Sequence, residues 1–294
     1  MDKIAVIGAA GEVGYRLIQR LSGRYRVNAI VRDPRKRDFQ GFSYVNVFVV
    51  TDVSDIESLA AAFEGCSVIV NAAYIQFAEN IFAAVSAVDD NRVEHIIFTG
   101  STGIYTKLES KSARDKINAE KFIRDRLTIP WTILRPTMIY GHADDRNFAR
   151  LIRFINRSLI IPVIGDGGAL IQPVYIYDLI ELMDRSILNR SVFNSSFDVA
   201  GAMAHTSGDV FRICAKLLGK KRIVLGVPHV VIQAAISLLG VLGKAPLSQE
   251  QILRFMEDKD VDIRDLEIHF EFVPTAIEDG LRKQIRDMRR GSQL

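Results

Sequence analysis

The sequence predicts an α/β protein, a doubly wound parallel sheet with a smaller, mainly helical C-terminal lobe. Three observations carry that expectation. Short β-branched runs alternate with helical stretches through the first half of the 294 residues. The runs are apolar at nearly every position, as strands covered by helices on both faces must be. A glycine triplet, Gly8, Gly11 and Gly14, joins the first run to the first helical stretch.

Taken in order, KIAVIGA is the first strand, and EVGYRLIQRLSG, with apolar residues at helical spacing, is the first helix. RVNAIVR and FSYVNVFVVTD are the second and third strands, followed by the helix DIESLAAAFEG. SVIVNAA, the helix AENIFAAVSAVDDNRV and the strand HIIFTGST come next, then the helix ARDKINAEKFIRDR and the strand WTILRPT. The crossovers are short and repeated, which favours double winding. After Pro136 the alternation stops. SSFDVAG reads as a last strand able to join the sheet, and from Gly201 onward helices are joined by Gly and Pro turns. The division expected is a sheet domain over 1–200, with an excursion near 141–171, and a substrate-facing lobe over 201–294.

Composition narrows the function classes. Hydrophobic residues make up 48% and charged residues 25%, and the formal net charge is +3. That balance suits a globular enzyme or binding domain and argues against a nucleic-acid partner, since no long Lys/Arg block is present. Cys66 and Cys214 lie far apart, with no paired spacing, as in a reducing compartment. The chain enters its first strand with no apolar leader, so the expected location is the cytoplasm. The apolar stretch at 227–246 is too short and too interrupted by Gly240 and Gly243 to span a bilayer. A buried helix is the favoured reading of it and a membrane-surface helix the alternative, the latter kept open by the basic run RKQIRDMRR.

The turn VIGAAGEVG places each glycine where a dinucleotide needs one: Gly8 for the tight turn, Gly11 for close approach of a pyrophosphate, Gly14 for packing of helix on strand. Glu12 and Val13 complete the start of a helix whose N-terminus favours phosphate. At the end of the second strand, where an acidic residue would grip an NAD ribose, the sequence has VRDPRKR. Arg32, with Arg35, Lys36 and Arg37 behind it, suits a 2′-phosphate, so NADP is the cofactor preferred over NAD. A solvated basic loop is the alternative, and Asp33 remains able to bond a ribose hydroxyl.

These motifs resemble the extended and atypical short-chain dehydrogenase/reductases, the NAD-dependent epimerase/dehydratase family among them. The G-x-x-G-x-x-G form is the first carrier of the resemblance. VTDVSD is similar to the family's acidic turn, which implies Asp52 at the adenine amino group and Val53 beside the ring. VNAA implies backbone of Ala72 and Ala73 beside the cofactor. LRPTMIYG, containing Pro136, and QPVYIYDL resemble later family segments. The resemblance spans most of the chain. It implies a Rossmann fold, a small-molecule substrate held between the lobes, and redox or epimerase/dehydratase chemistry on a nucleotide sugar or similar polyol.

The family's Tyr-x-x-x-Lys pair sets a phenol and a lysine one helical turn apart, the lysine holding the nicotinamide ribose and lowering the phenol's pKa. Lys116 of KINAE matches the lysine, and Ala119 and Glu120 support the match. Four residues earlier stands Ser112, not tyrosine. Ser101 of STGIY matches the residue that orients a substrate oxygen. Tyr105, Tyr140 and Asp115 are the candidate replacement acids, against packing roles for the two tyrosines. Arg146, Asn147 and Gln172 are candidate substrate contacts, with loop capping and hydrogen bonding to backbone as the alternative. A non-catalytic NADP-responsive sensor or scaffold is the second functional reading. No metal-ligand spacing, Walker loop or nucleophile elbow is present among the motifs.

Overall fold

The computed structural model describes residues 1–90, 92–145, 147–231 and 257–294. Strands β1 (Lys3–Ile7), β2 (Arg26–Val31), β3 (Val45–Val49), β4 (Val68–Asn71), β5 (His95–Thr99) and β6 (Trp131–Pro136) are joined by the strand Ser195–Val199 in one seven-stranded sheet. Its order is Ser195–Val199, β6, β5, β4, β1, β2, β3, and each pairing is parallel.

Strand alternation builds two cores from one sheet. Ile4, Val6, Val68, Val70, Ile97 and Leu134 face α1 (Glu12–Leu21) and α6 (Ile176–Ser186). Ala5, Ile7, Ile69, Ile96, Phe98 and Ile133 face α2 (Ile56–Phe63), α3 (Ala78–Ser86) and α4 (Lys111–Arg126). Helices cover both faces, which is why these strands are apolar at most positions and the polar exceptions, such as His95 and Thr132, are buried. The doubly wound sheet expected from the sequence is therefore the fold.

A third core joins α5 (Phe148–Arg157), α7 (Ser207–Leu218) and the helix Ile277–Arg290 around Ile152, Val210, Cys214, Leu281 and Ile285. The helix Arg264–Phe270 returns to the sheet, where Phe270 meets Phe197 edge-on with ring centroids 5.0 Å apart. One expectation needs correction. The chain after Gly201 is not purely helical: Ile223–Val227 is a strand paired in parallel with Ile160–Ile164. The run IVLGV is β-branched and too short for a helix, and it was hidden by the helical stretches around it. Most of the apolar stretch at 227–246 lies outside the described residues. Among those described, no helix is long and apolar enough to cross a membrane.

Candidate functional site

The strand order reverses between β1 and β4, because β1 leads outward through α1 to β2 and β4 leads the other way through α3 to β5. Loops at such a switch point diverge and leave a crevice at the carboxyl ends of the strands. The glycine turn after β1 and Ala72 and Ala73 after β4 meet at this point. Gly8 has φ +77°, and a Cβ there would stand 3.0 Å from the Ala73 Cβ. Gly11 donates its N–H to the Gly8 carbonyl at 2.9 Å, closing the turn. A Cβ on Gly14 would stand 2.4 Å from the same carbonyl oxygen, so only glycine lets α1 sit directly on the turn. Gly11 caps α1 without a side-chain hydrogen bond, so the helix N-terminus brings no acceptor of its own. Backbone N–H groups at such a terminus suit a phosphate anion.

Glu12 is the residue least suited to a phosphate neighbour. Its carboxylate is held by Arg16 and Arg37. The Arg37 guanidinium also stacks on the Tyr15 ring, 4.9 Å from its centroid. Two guanidinium groups outweigh one carboxylate, which leaves a cationic balance. His142 places Nδ1 3.7 Å from Glu12, and burial lowers its pKa despite that carboxylate.

The basic loop divides into tied and open members. Arg35 forks onto Asp33, whose carboxylate also accepts the Arg35 backbone N–H; the pairing holds the Asp33 carboxyl below its usual range. Arg32, directly after β2, is exposed and has no hydrogen-bond or ion-pair partner among the described residues. Of the residues proposed for a 2′-phosphate, Arg32 is thus the one with an uncommitted fork. In the acidic turn after β3, Asp52 is exposed and accepts the Ser54 N–H at 2.9 Å, while Val53 is buried.

Ser101 caps a short 3₁₀ turn, Thr102–Tyr105, its Oγ accepting the Gly103 N–H at 3.1 Å. A Cβ built on Gly103 would lie 3.2 Å from Ser101 Oγ and 3.9 Å from Lys116 Nζ, so hydroxyl and ammonium flank one point. Ser110 caps α4, which puts Ser112 in its first turn. Lys116 Nζ donates to Ser112 Oγ at 3.0 Å. The two side chains are four residues apart, the spacing of a Tyr-x-x-x-Lys pair, and the hydroxyl is aliphatic.

The alternative acids fare differently. Tyr105 donates its hydroxyl to Asp198 at 2.9 Å and accepts from Arg135 at 3.2 Å; burial, then Asp198, raises its pKa. Pro136, at the end of β6, accepts a long contact from Thr102 at 3.5 Å. Tyr140 is a correction. Its side chain is fully buried in the third core, tilted against Phe148 and Tyr175, and a Cβ on Gly280 would collide with its ring. The MIYG segment turns inward because a small residue on the C-terminal helix makes room for it. Gln172 is a second correction: its Nε2 donates to the Gly201 carbonyl at 2.8 Å and its Oε1 accepts the Val261 N–H at 2.9 Å, which spends the amide on backbone. Asn147 is exposed, and its N–H donates to the capping carboxylate of Asp145. Arg146 lies outside the described residues.

Sequence reasoning missed the framework of this quarter. Arg135 forks onto Glu120 at 2.8 and 2.7 Å, fastening β6 to α4 behind Lys116. Glu257 accepts from Thr106 Oγ1 and the Lys107 N–H, both at 2.8 Å, and so ties the C-terminal segment to the loop after Tyr105. A buried Glu in KINAE and an Arg in LRP were the available signals, each readable only once the strands were paired.

The sheet and its glycine turn define the class as a Rossmann-like α/β fold, as the motifs implied. Residues 8–152 match the NAD(P)H-binding family. No curated protein matches the sequence. Among solved structures, the chain is similar to gox2253, with TM-score 0.78 and 17% identity over 100% of both chains. It is also similar to UDP-glucuronic acid 4-epimerase from Bacillus cereus bound to UDP-glucuronic acid and NAD, with TM-score 0.75 and 18% identity over 98% of this chain and 99% of that one. UDP-glucose 4-epimerase from Thermotoga maritima, solved with UDP-glucose, gives 0.72 and 15% over 99% of each. At these identities the likeness is one of fold.

Proposed function

We propose that the protein binds NADP(H) and carries out redox or epimerase-type chemistry on a polyol-like substrate such as a nucleotide sugar. The observation that carries the reading is the cradle: Gly8 and Gly14, which leave no room for a side chain, an α1 N-terminus without a side-chain cap, and Arg32 uncommitted beside it. The nicotinamide, when bound, supplies hydride acceptance and donation. Lys116 holds the ribose, and Ser101, on the neighbouring turn, orients a substrate oxygen. Substrate enters between the sheet edge and a lobe built from α5, α7 and Ile277–Arg290. The lobe division at 200 and a cytoplasmic location belong to the same proposal. The UDP-sugars bound by two structures of this fold support the substrate class.

A second reading, an NADP(H)-responsive sensor or scaffold, is favoured by the Ser112–Lys116 bond, since serine is a far weaker acid than a phenol beside an ammonium. Purified protein incubated with NADPH or NADP and a panel of UDP-sugars separates the two. Cofactor-dependent conversion of a sugar, followed by absorbance and product mass, supports the enzyme. Dinucleotide binding with no conversion of any panel member supports the sensor.

A further inference from the structure

The strands Ile160–Ile164 and Ile223–Val227 form a two-stranded parallel ribbon, with Ile160 beside Ile223 and Pro162 beside Leu225. Alternation sends Ile161 and Val163 inward, both buried. It leaves Ile160, Ile223 and Leu225 outward, 48%, 57% and 50% exposed, with Pro162 exposed between them. Leu159, just before the first strand, is 64% exposed. Contiguous apolar side chains this open mark interaction surfaces on soluble folds.

Charge identifies the partner. Parallel pairing puts the starts of both strands at one end of the ribbon, so Arg157 before one strand and Lys220 and Lys221 before the other flank the same end. All three are exposed and have no ion-pair partner among the described residues. Residues 147–164 and 210–231 contain eight Lys and Arg, three in the first and five in the second, and no Asp or Glu, in a chain whose totals are 38 basic and 35 acidic. Asp166 lies in the loop at the ribbon's far end and caps the Gly168 N–H. A second copy docked face to face would bring Arg157, Lys220 and Lys221 against their own counterparts or leave the apolar faces out of register. A surface of anionic headgroups over an apolar layer matches both features at once.

We propose that this ribbon face is a docking surface for an anionic lipid bilayer, with Leu159, Ile160, Ile223 and Leu225 entering the headgroup boundary and Arg157, Lys220 and Lys221 meeting lipid phosphates. Contact is peripheral, and it sets the protein on the membrane by the lobe face that carries no part of the glycine cradle.

The test is co-sedimentation of the full chain with phosphatidylcholine vesicles and with vesicles that also contain phosphatidylglycerol. The variants are Ile160→Asp with Ile223→Asp, and Lys220→Glu with Lys221→Glu. The expected result is binding to the anionic vesicles alone, weakened by salt, and reduced by on the order of tenfold or more in both variants. NADPH affinity and Tm remain as in the parent, which keeps this test separate from that of the cofactor reading. No sedimentation, or sedimentation that survives both variants, overturns the proposal. A concentration-dependent dimer lost in Ile160→Asp with Ile223→Asp assigns the face to a second copy instead. A marked fall in Tm of that variant assigns it to contact within the chain.

Discussion

Lys116 donates to Ser112 across one turn of α4, at 3.0 Å, in the position where a phenol would complete a proton-transfer pair. Serine ends several ångströms short of the reach of tyrosine, and Gly103 lies against both Ser101 Oγ and Lys116 Nζ. Ser112→Tyr restores the phenol on an exposed first-turn position. The expected outcome is a rise of at least about tenfold in cofactor-dependent turnover of an accepted substrate, the low end of what a placed general acid contributes. An unchanged rate, with cofactor affinity also unchanged, would mean that no substrate oxygen reaches this corner.

Glu12 restrains the basic loop. Glu12→Gln removes the charge that holds Arg37 and Arg16 and leaves both guanidinium groups nearer to bound phosphate. NADPH is expected to bind about three- to tenfold more tightly, with a smaller gain for NADH, by calorimetric titration. Weaker NADPH binding would instead assign Glu12 a role in shaping the turn.

Gly14→Ala sets a methyl group 2.4 Å from the Gly8 carbonyl oxygen, a backbone atom that cannot yield without moving the turn. A loss of about 1–3 kcal/mol in stability is expected, from overpacking of this kind, together with loss of dinucleotide binding. Chemical denaturation measures the first and titration the second. A variant of parental stability and affinity would mean that α1 does not rest on the turn.

The fold was legible from residues 4 to 7, 68 to 70 and 96 to 98, whose unbroken apolar character suits a strand covered on both sides. The glycine positions were legible too, because φ and van der Waals contact permit nothing else at Gly8 and Gly14. Tyr140 and Gln172 were not. Whether a tyrosine lines a pocket or fills a core depends on Gly280, 140 residues away, and Gln172 is consumed by the Val261 N–H from a segment with no sequence signal of its own. The ribbon strand Ile223–Val227 escaped for a similar reason, since its partner lies more than sixty residues earlier.

His95 makes the fold sensitive to acid. Its Nε2–H donates to Thr132 Oγ1 at 2.9 Å, because the Thr132 hydroxyl proton goes to the Val192 carbonyl, and Nδ1 has no partner. Burial pushes its pKa down to about 4 from an ordinary value near 6.5. The unfolded chain therefore binds the proton first, so the contribution of neutral His95 is complete above about pH 6.5 and is lost as pH falls toward 4. Between pH 7 and pH 5 the loss is about 2 kcal/mol, measurable by urea unfolding. A His95→Gln variant should show a shallower decline; an equal slope in both proteins would place the acid sensitivity elsewhere.

In the proposed function, Arg32 carries the preference for NADP(H). Titration of the purified protein and of Arg32→Ala with NADPH and NADH tests the central claim most directly. The account predicts NADPH binding at micromolar levels or tighter, weakened about ten- to hundredfold in the variant through loss of a charge-assisted contact, with NADH nearly unaffected. Equal weakening of both dinucleotides would contradict the 2′-phosphate assignment, and failure of either to bind the parent protein would contradict the dinucleotide reading itself.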